Sequence, residues 1–256
     1  MKKVQSLLPQ TFARDGYQIV RGLCPESVRD ALRAMTLTHL EPLVGPVEYE
    51  ADVGYPGAPG GRDEQGGSTP RRLLNAYSRA EVFREWATGP LVGDRLRTLF
   101  GRDDLFVSQC HHNCVMTKYP GYSSATLWHQ DIRYWSFDQP ELISVWLALG
   151  DETARNGALQ IIPGSHRLEI DRGRLDSALF LRPDLQENRM LIENAEAVEL
   201  AAGDALFFHC RTYHAAGMNL SDEVKLSAVF TYHTLDNRPI PHTRSAQLPG
   251  VELRPG

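Results

Sequence analysis

The feature that most constrains this chain is a change of texture after Gly101. Beyond it, short apolar or alternating runs follow one another at 105–108, 113–118, 143–149, 158–162, 197–200, 205–209 and 226–233. Turn dipeptides stand between them: Pro120-Gly121, Asn156-Gly157, Pro163-Gly164 and Gly203-Asp204. Many short strands at close spacing predict a β-barrel or sandwich. A chain of 256 residues without internal repeats is long enough for one sizeable core. The reading is therefore a single domain over 1–256, with helices over about 10–100, a barrel over about 101–235 and a C-terminal tail at 236–256.

Ahead of the strands the pattern is helical. Residues 10–40 carry two helical stretches separated by an extended piece at 17–22, and Pro25-Glu26 opens the second, with Val28, Leu32, Met35 and Leu37 recurring along it. Residues 44–70 hold Pro46, Pro56, Pro59 and Pro70 among Gly54, Gly57, Gly60, Gly61, Gly66 and Gly67, which predicts a long loop without regular structure, either a lid or a disordered segment. From 71 to 100 the spacing is helical again, broken at Gly89-Pro90, and predicts Phe83, Trp86, Leu91, Leu96 and Leu99 as the buried stripe.

Charge narrows the function. A net charge of -5 with interspersed signs offers no basic stripe to follow a phosphate backbone, so a nucleic-acid partner has no support and the expected partner is a small-molecule substrate. No apolar run has signal-peptide or membrane-spanning length, so no membrane partner is expected. Cys24, Cys110, Cys114 and Cys210 are scattered as reduced thiols are, and Cys110 and Cys114 read as strand residues, not zinc ligands. Together these features predict a soluble cytoplasmic protein.

His129-Gln130-Asp131 is the first chemical candidate, because residues i and i+2 of a strand face one way and can offer imidazole and carboxylate to one ion. The same spacing at His39-Leu40-Glu41 lies on a helical segment, where the two side chains diverge and read as solvated. A facial triad needs a second histidine from elsewhere. Both His209 and His214 follow the Gly203-Asp204 turn, His209 at a strand end suited to a structural hydrogen bond. His111, His112, His166, His233 and His242 read as surface or satisfied barrel histidines.

Three ordered motifs go further: Trp128-His129-Gln130-Asp131, the run from Asn156-Gly157 through Ile162-Pro163-Gly164-Ser165-His166-Arg167, and Gly203-Asp204-Ala205-Leu206-Phe207-Phe208-His209 followed by His214 and Asn219. With the stretch from Phe12 to Tyr17, they resemble the phytanoyl-CoA dioxygenase family of Fe(II)/2-oxoglutarate oxygenases over about residues 10–235. The resemblance implies a mainly β double-stranded β-helix (jelly-roll, cupin-like) barrel with flanking helices. It implies Fe(II) on His129, Asp131 and His214, and 2-oxoglutarate and O2 as co-substrates. Lys225, where the family usually has Arg, would take the distal carboxylate, with Lys118 and Trp146 lining the same pocket. The chemistry implied is hydroxylation or oxidative desaturation of a small molecule with release of succinate and CO2. Retention of Asp131 counts against halogenation, which needs that position vacated for chloride. Residues 44–70, Arg71, Arg72, Arg133 and Trp135 are candidate cover and selectivity elements. Two further readings stay open at this point: a metal-dependent hydrolase or cupin-like isomerase on the same residues, and a non-catalytic binding protein.

Overall fold

The longest strand explains the architecture. In the computed structural model, which describes residues 8–254, the longest strand, β12 (Lys225–Thr234), is preceded along the chain by β1 (Tyr17–Val20), β2 (Val47–Tyr49), β3 (Pro70–Leu74), β4 (Leu105–Ser108), β5 (Cys114–Lys118), β6 (Thr126–His129), β7 (Ile143–Ala148), β8 (Leu159–Ile161), β9 (Glu196–Val198), β10 (Ala205–His209) and β11 (His214–Ala216). After it comes β13 (Val251–Glu252). One side of β12 pairs with β7 and the other with β5 and then β4, all antiparallel. Strand alternation then sorts its side chains. Leu226, Ala228, Phe230 and Tyr232 enter the larger core, whereas Val229 enters a second core and Lys225 lines a cavity.

The larger sheet runs β1-β10-β7-β12-β5-β3-β2, with β4 on β12 and β13 on β4. Its outer face is covered by helices α1 (Leu8–Asp15), α2 (Glu26–Leu40), α3 (Ala76–Arg79), α4 (Glu81–Thr88) and α5 (Pro90–Phe100), which contribute Phe12, Leu32, Phe83, Trp86, Val92 and Leu96 to the larger core. A smaller sheet, β6-β11-β8-β9, packs on the inner face through Leu159, Ile161, Val198 and Ala216 against Trp146, Leu206, Phe208 and Val229. α6 (Gln186–Ile192) lies between β8 and β9 in the chain. This is the expected double-stranded β-helix of mostly antiparallel strands, although among the described residues its strands form two separate sheets and no hydrogen-bonded ring closes into a barrel. No helix among the described residues is long and apolar enough to cross a membrane.

Several local expectations are corrected. Residues 71–74 are strand, not helix: alternate burial of Arg71 and Leu73 has period two, and β3 pairs with both β2 and β5. Within 44–70, Val47–Tyr49 forms a strand and Glu50–Asp52 a 3-10 turn. Leu91 is 43% exposed, because α5 restarts at Pro90 and resets the helical phase, so that Val92 and Leu96, one turn apart, point inward instead. Leu37 is exposed as well, and Thr36 takes the inward place with its hydroxyl bonded to Leu32 O. Cys110 lies in a bend, while Cys114 does open a strand as expected. The segment after β12 packs back on the domain, with Asn237 bonded to Glu141 O and β13 paired with β4.

Phe230 is fully buried at the centre of the larger core. Phe230→Ala should cost roughly 3–5 kcal/mol of stability in chemical denaturation, from lost burial and the cavity left behind; a cost under about 1 kcal/mol would show that this core repacks freely.

Candidate active site

The cluster is built by strand pairing. β6 ends at His129 and β11 begins at His214, and the antiparallel register sets these two residues directly opposite each other, with ring centroids 4.2 Å apart. Each ring is oriented the same way: His129 Nδ1 lies 2.8 Å from Leu127 O, and His214 Nδ1 lies 3.0 Å from Thr212 O. A carbonyl only accepts, so each Nδ1 carries the proton and each Nε2 presents a lone pair. Both Nε2 atoms face Asp131 Oδ1, at 3.8 Å and 3.6 Å, and the donor atoms of all three side chains lie within 4.8 Å of one another. Asp131 is not on the strand, as expected from its spacing; it opens the 3-10 turn Asp131–Tyr134 immediately after β6.

The electrostatics suit a cation. Burial and the neighbouring His214 hold His129 far below the usual imidazole range, and burial lowers His214 in spite of Asp131. Burial would raise Asp131, but His112, His214 and His129 outweigh it and keep the carboxylate ionised. Asp131 Oδ2 is buried without any hydrogen-bond partner. A desolvated, half-satisfied carboxylate facing two unprotonated ring nitrogens fits a metal with borderline nitrogen and oxygen preferences.

The structure adds residues that sequence reasoning missed. His112, expected to be bland, has Nε2 at 3.0 Å from Asp131 Oδ1 on a left-handed backbone turn (φ 40°). Its only sequence signal was the His111-His112 pair before β5. Lys225 does not stand alone: its Nζ is 3.0 Å from Glu152 Oε2, both buried, and Glu152 Oε1 accepts from Trp146 Nε1 at 2.8 Å and from Ser227 Oγ at 2.6 Å. Lys118 donates to Ser124 O at 2.9 Å and to Gly217 O, while burial, Lys225 and Arg71 push its ammonium down to about 7. His209 bonds Glu141 at 3.0 Å, as its strand-end position suggests, and lies outside the cavity wall. His166 packs beside His209, away from the cluster.

The named motifs act as supports. Ser165 Oγ accepts from Tyr213 N, fixing the residue before His214. Asn219 ties its loop to Lys118 O and Glu223 O. Gly157 (φ 78°) must lack a side chain, since a Cβ there would lie 2.6 Å from Gly217 O.

Over the cluster lies a cavity of about 460 Å³ whose wall includes all six of His129, Asp131, His214, Lys118, Trp146 and Lys225. Its roof comes from three segments. Tyr55, from the Gly/Pro-rich stretch, shares a 3.2 Å hydroxyl contact with Tyr134 and meets Phe180 edge-on, and Arg133 stacks on Phe180 while donating to Ala178 O. Arg71 and Arg72 sit beside Glu48, and Trp135 forms a buried part of the wall.

Fold and cluster together define the class of jelly-roll metal enzymes that use two histidines and one carboxylate. The phytanoyl-CoA dioxygenase (PhyH) family model matches residues 12–227, and the chain belongs to that family. An ectoine dioxygenase from Halomonas elongata is 30% identical over 211 residues, covering 74% of this chain and 62% of that protein. Phytanoyl-CoA dioxygenase 1 of Oryza sativa subsp. japonica is 31% identical over 140 residues, covering 55% and 48%. The chain thus spans under two thirds of each of these two relatives. Among solved structures, the fold matches EctD from S. alaskensis with 2-oxoglutarate and 5-hydroxyectoine at TM-score 0.75 and 18% identity, covering 96% of this chain and 85% of that one. It also matches the epimerase SnoN in complex with Fe3+, alpha ketoglutarate and nogalamycin RO at TM-score 0.74 and 22% identity, covering 100% and 97%.

Removing one member of a buried ion pair strands the other. Glu152→Ala should therefore cost roughly 3–5 kcal/mol of stability, since Lys225, Trp146 and Ser227 lose one shared acceptor. Chemical denaturation measures this, and a near-neutral result would mean the pair is solvated and Lys225 is not held.

Proposed function

We propose that this protein is an Fe(II)- and 2-oxoglutarate-dependent oxygenase that hydroxylates or oxidatively desaturates a small molecule. The observation that carries it is the cluster itself: two buried histidines with Nδ1 committed to backbone carbonyls, facing one oxygen of a carboxylate whose other oxygen is unsatisfied. His129, Asp131 and His214 would hold the iron through Nε2, a carboxylate oxygen and Nε2. Iron and 2-oxoglutarate bound there supply dioxygen activation, with succinate and CO2 as the co-products.

The chain's own residues do the rest. The Leu127 and Thr212 carbonyls fix both ring orientations, and His112 steadies Asp131 through Oδ1. Lys225 and Lys118 are the candidates for the distal carboxylate of 2-oxoglutarate. Each ammonium has three N–H donors; Lys225 directs two at Glu152 and Ser227, and Lys118 two at carbonyls, which leaves one each for the co-substrate. Trp146 is fixed by Glu152 and lies under the Lys225 ammonium, 4.9 Å from ring centroid to Nζ. Tyr55, Tyr134, Trp135 and Phe180 wall the cavity and exclude water from the substrate side. The Gly/Pro-rich segment acts in this reading as part of the cover. The chain works as one domain, which the return of β13 onto β4 supports, and in the cytoplasm, which its four free cysteines support.

His214→Ala should lower Fe(II) affinity at least about a hundredfold and abolish substrate-dependent succinate release while far-UV circular dichroism stays unchanged. His209→Ala should leave metal affinity within a few-fold of the parent. Anaerobic calorimetric titration decides between the two histidines, and the reverse ranking would overturn the ligand assignment.

A further inference from the structure

We propose that the substrate is an organic acid whose single carboxylate is bound by Arg244 at the mouth of the cavity; this rests on the oxygenase reading and adds the substrate class to it. Five cationic side chains line the cavity: Arg71, Arg72, Lys118, Lys225 and Arg244. Four are already engaged. Arg71 lies 3.3 Å from Glu48 and 3.5 Å from Glu50, Arg72 3.4 Å from Glu48, Lys225 3.0 Å from Glu152, and Lys118 is held by two carbonyls. Arg244 is exposed, and its guanidinium makes no hydrogen bond or ion pair among the described residues.

Its backbone, by contrast, is fixed. Arg244 opens the 3-10 turn Arg244–Ala246, and the next residue, Ser245, is buried with its hydroxyl 2.7 Å from His111 Nε2 and 2.8 Å from Ser136 N. The turn that carries this free guanidinium is pinned, so holding a ligand would cost the side chain's own rotamer freedom but no ordering of the loop. The neighbouring imidazole adds no competing charge, because burial first and Arg244 second push His111 down to about 3.

From this point the wall runs continuously to the cluster. His111 stacks on Trp135 at 5.2 Å, Trp135 meets His112 edge-on at 5.4 Å, and His112 contacts Asp131. A ligand with its carboxylate on the Arg244 fork would lay an apolar body along Trp135 toward Phe180 and the metal-binding side chains. One uncompensated guanidinium matches one negative charge, which separates this class from polyphosphate ligands.

The test uses the full chain with Co(II) in place of iron, 2-oxoglutarate present, and two fluorinated probes of the same shape, 3-(4-fluorophenyl)propanoate and 3-(4-fluorophenyl)propanamide, titrated by 19F NMR. The carboxylate should bind about tenfold or more tighter than the amide, the low end expected for a charge-assisted bond at an exposed site. Arg244→Ala should bring the carboxylate down to the affinity of the amide, and Arg244→Lys should retain part of the preference. Equal affinity in the parent, a preference surviving Arg244→Ala, or binding of neither probe at about 10 mM would each overturn the proposal. Paramagnetic broadening of the probes reports separately on the metal. A carboxylate preference without broadening leaves the Arg244 subsite standing and sinks the oxygenase reading; broadening without a preference does the reverse.

Discussion

The pairing of β6 with β11 is the constraint on which the site depends. It sets His129 opposite His214, and their ring nitrogens are sorted by two backbone carbonyls that can only accept a hydrogen bond. A one-residue slip in this pairing would turn one ring to the opposite face and dissolve the cluster. The register is held from both sides: β11 also pairs with β8, and Ser165 grips the backbone just before His214. The Pro163-Gly164-Ser165-His166 segment therefore works through strand alignment, which is why His166 need not touch the His129, Asp131 and His214 cluster.

Charge is the second organising factor. The cavity wall carries more cations than a protein interior tolerates unpaired, and three of the five, Arg71, Arg72 and Lys225, are matched by carboxylates at short range. The Glu152–Lys225 pair is the clearest case. An arginine at that position would offer a flat fork to a carboxylate; a lysine is a point charge that swings unless held. Glu152, Ser227 and the Trp146 ring hold it, and the departure from the family's usual residue is accompanied by a local network that fixes the ammonium.

Much of this was legible in the sequence. The strands after Gly101 and the helix stop at Gly89-Pro90 follow from periodicity and turn chemistry, and the choice of His214 beside His129 and Asp131 follows from the family resemblance of the ordered motifs. What escaped depends on long-range pairing. Residues 71–74 look helical because two arginines hide their alternation, and Glu48, Glu50, Ser124 and Thr126 across the fold make a buried Arg71 tolerable. His112 gave only the His111-His112 pair as a signal and Glu152 gave none, since Asp131 and Lys225 are brought up to them by the fold. Arg244 looked like part of a polar tail, and only the return of that tail over Trp135 and His111 brings it to the cavity.

The central claim is that metal and 2-oxoglutarate share this cavity. Anaerobic titration of Fe(II)-loaded protein with 2-oxoglutarate, followed by visible absorption, tests it most directly. A weak charge-transfer band that grows to saturation, and that His214→Ala abolishes, is the predicted result. A protein that binds Fe(II) yet shows no band at saturating 2-oxoglutarate would contradict the account.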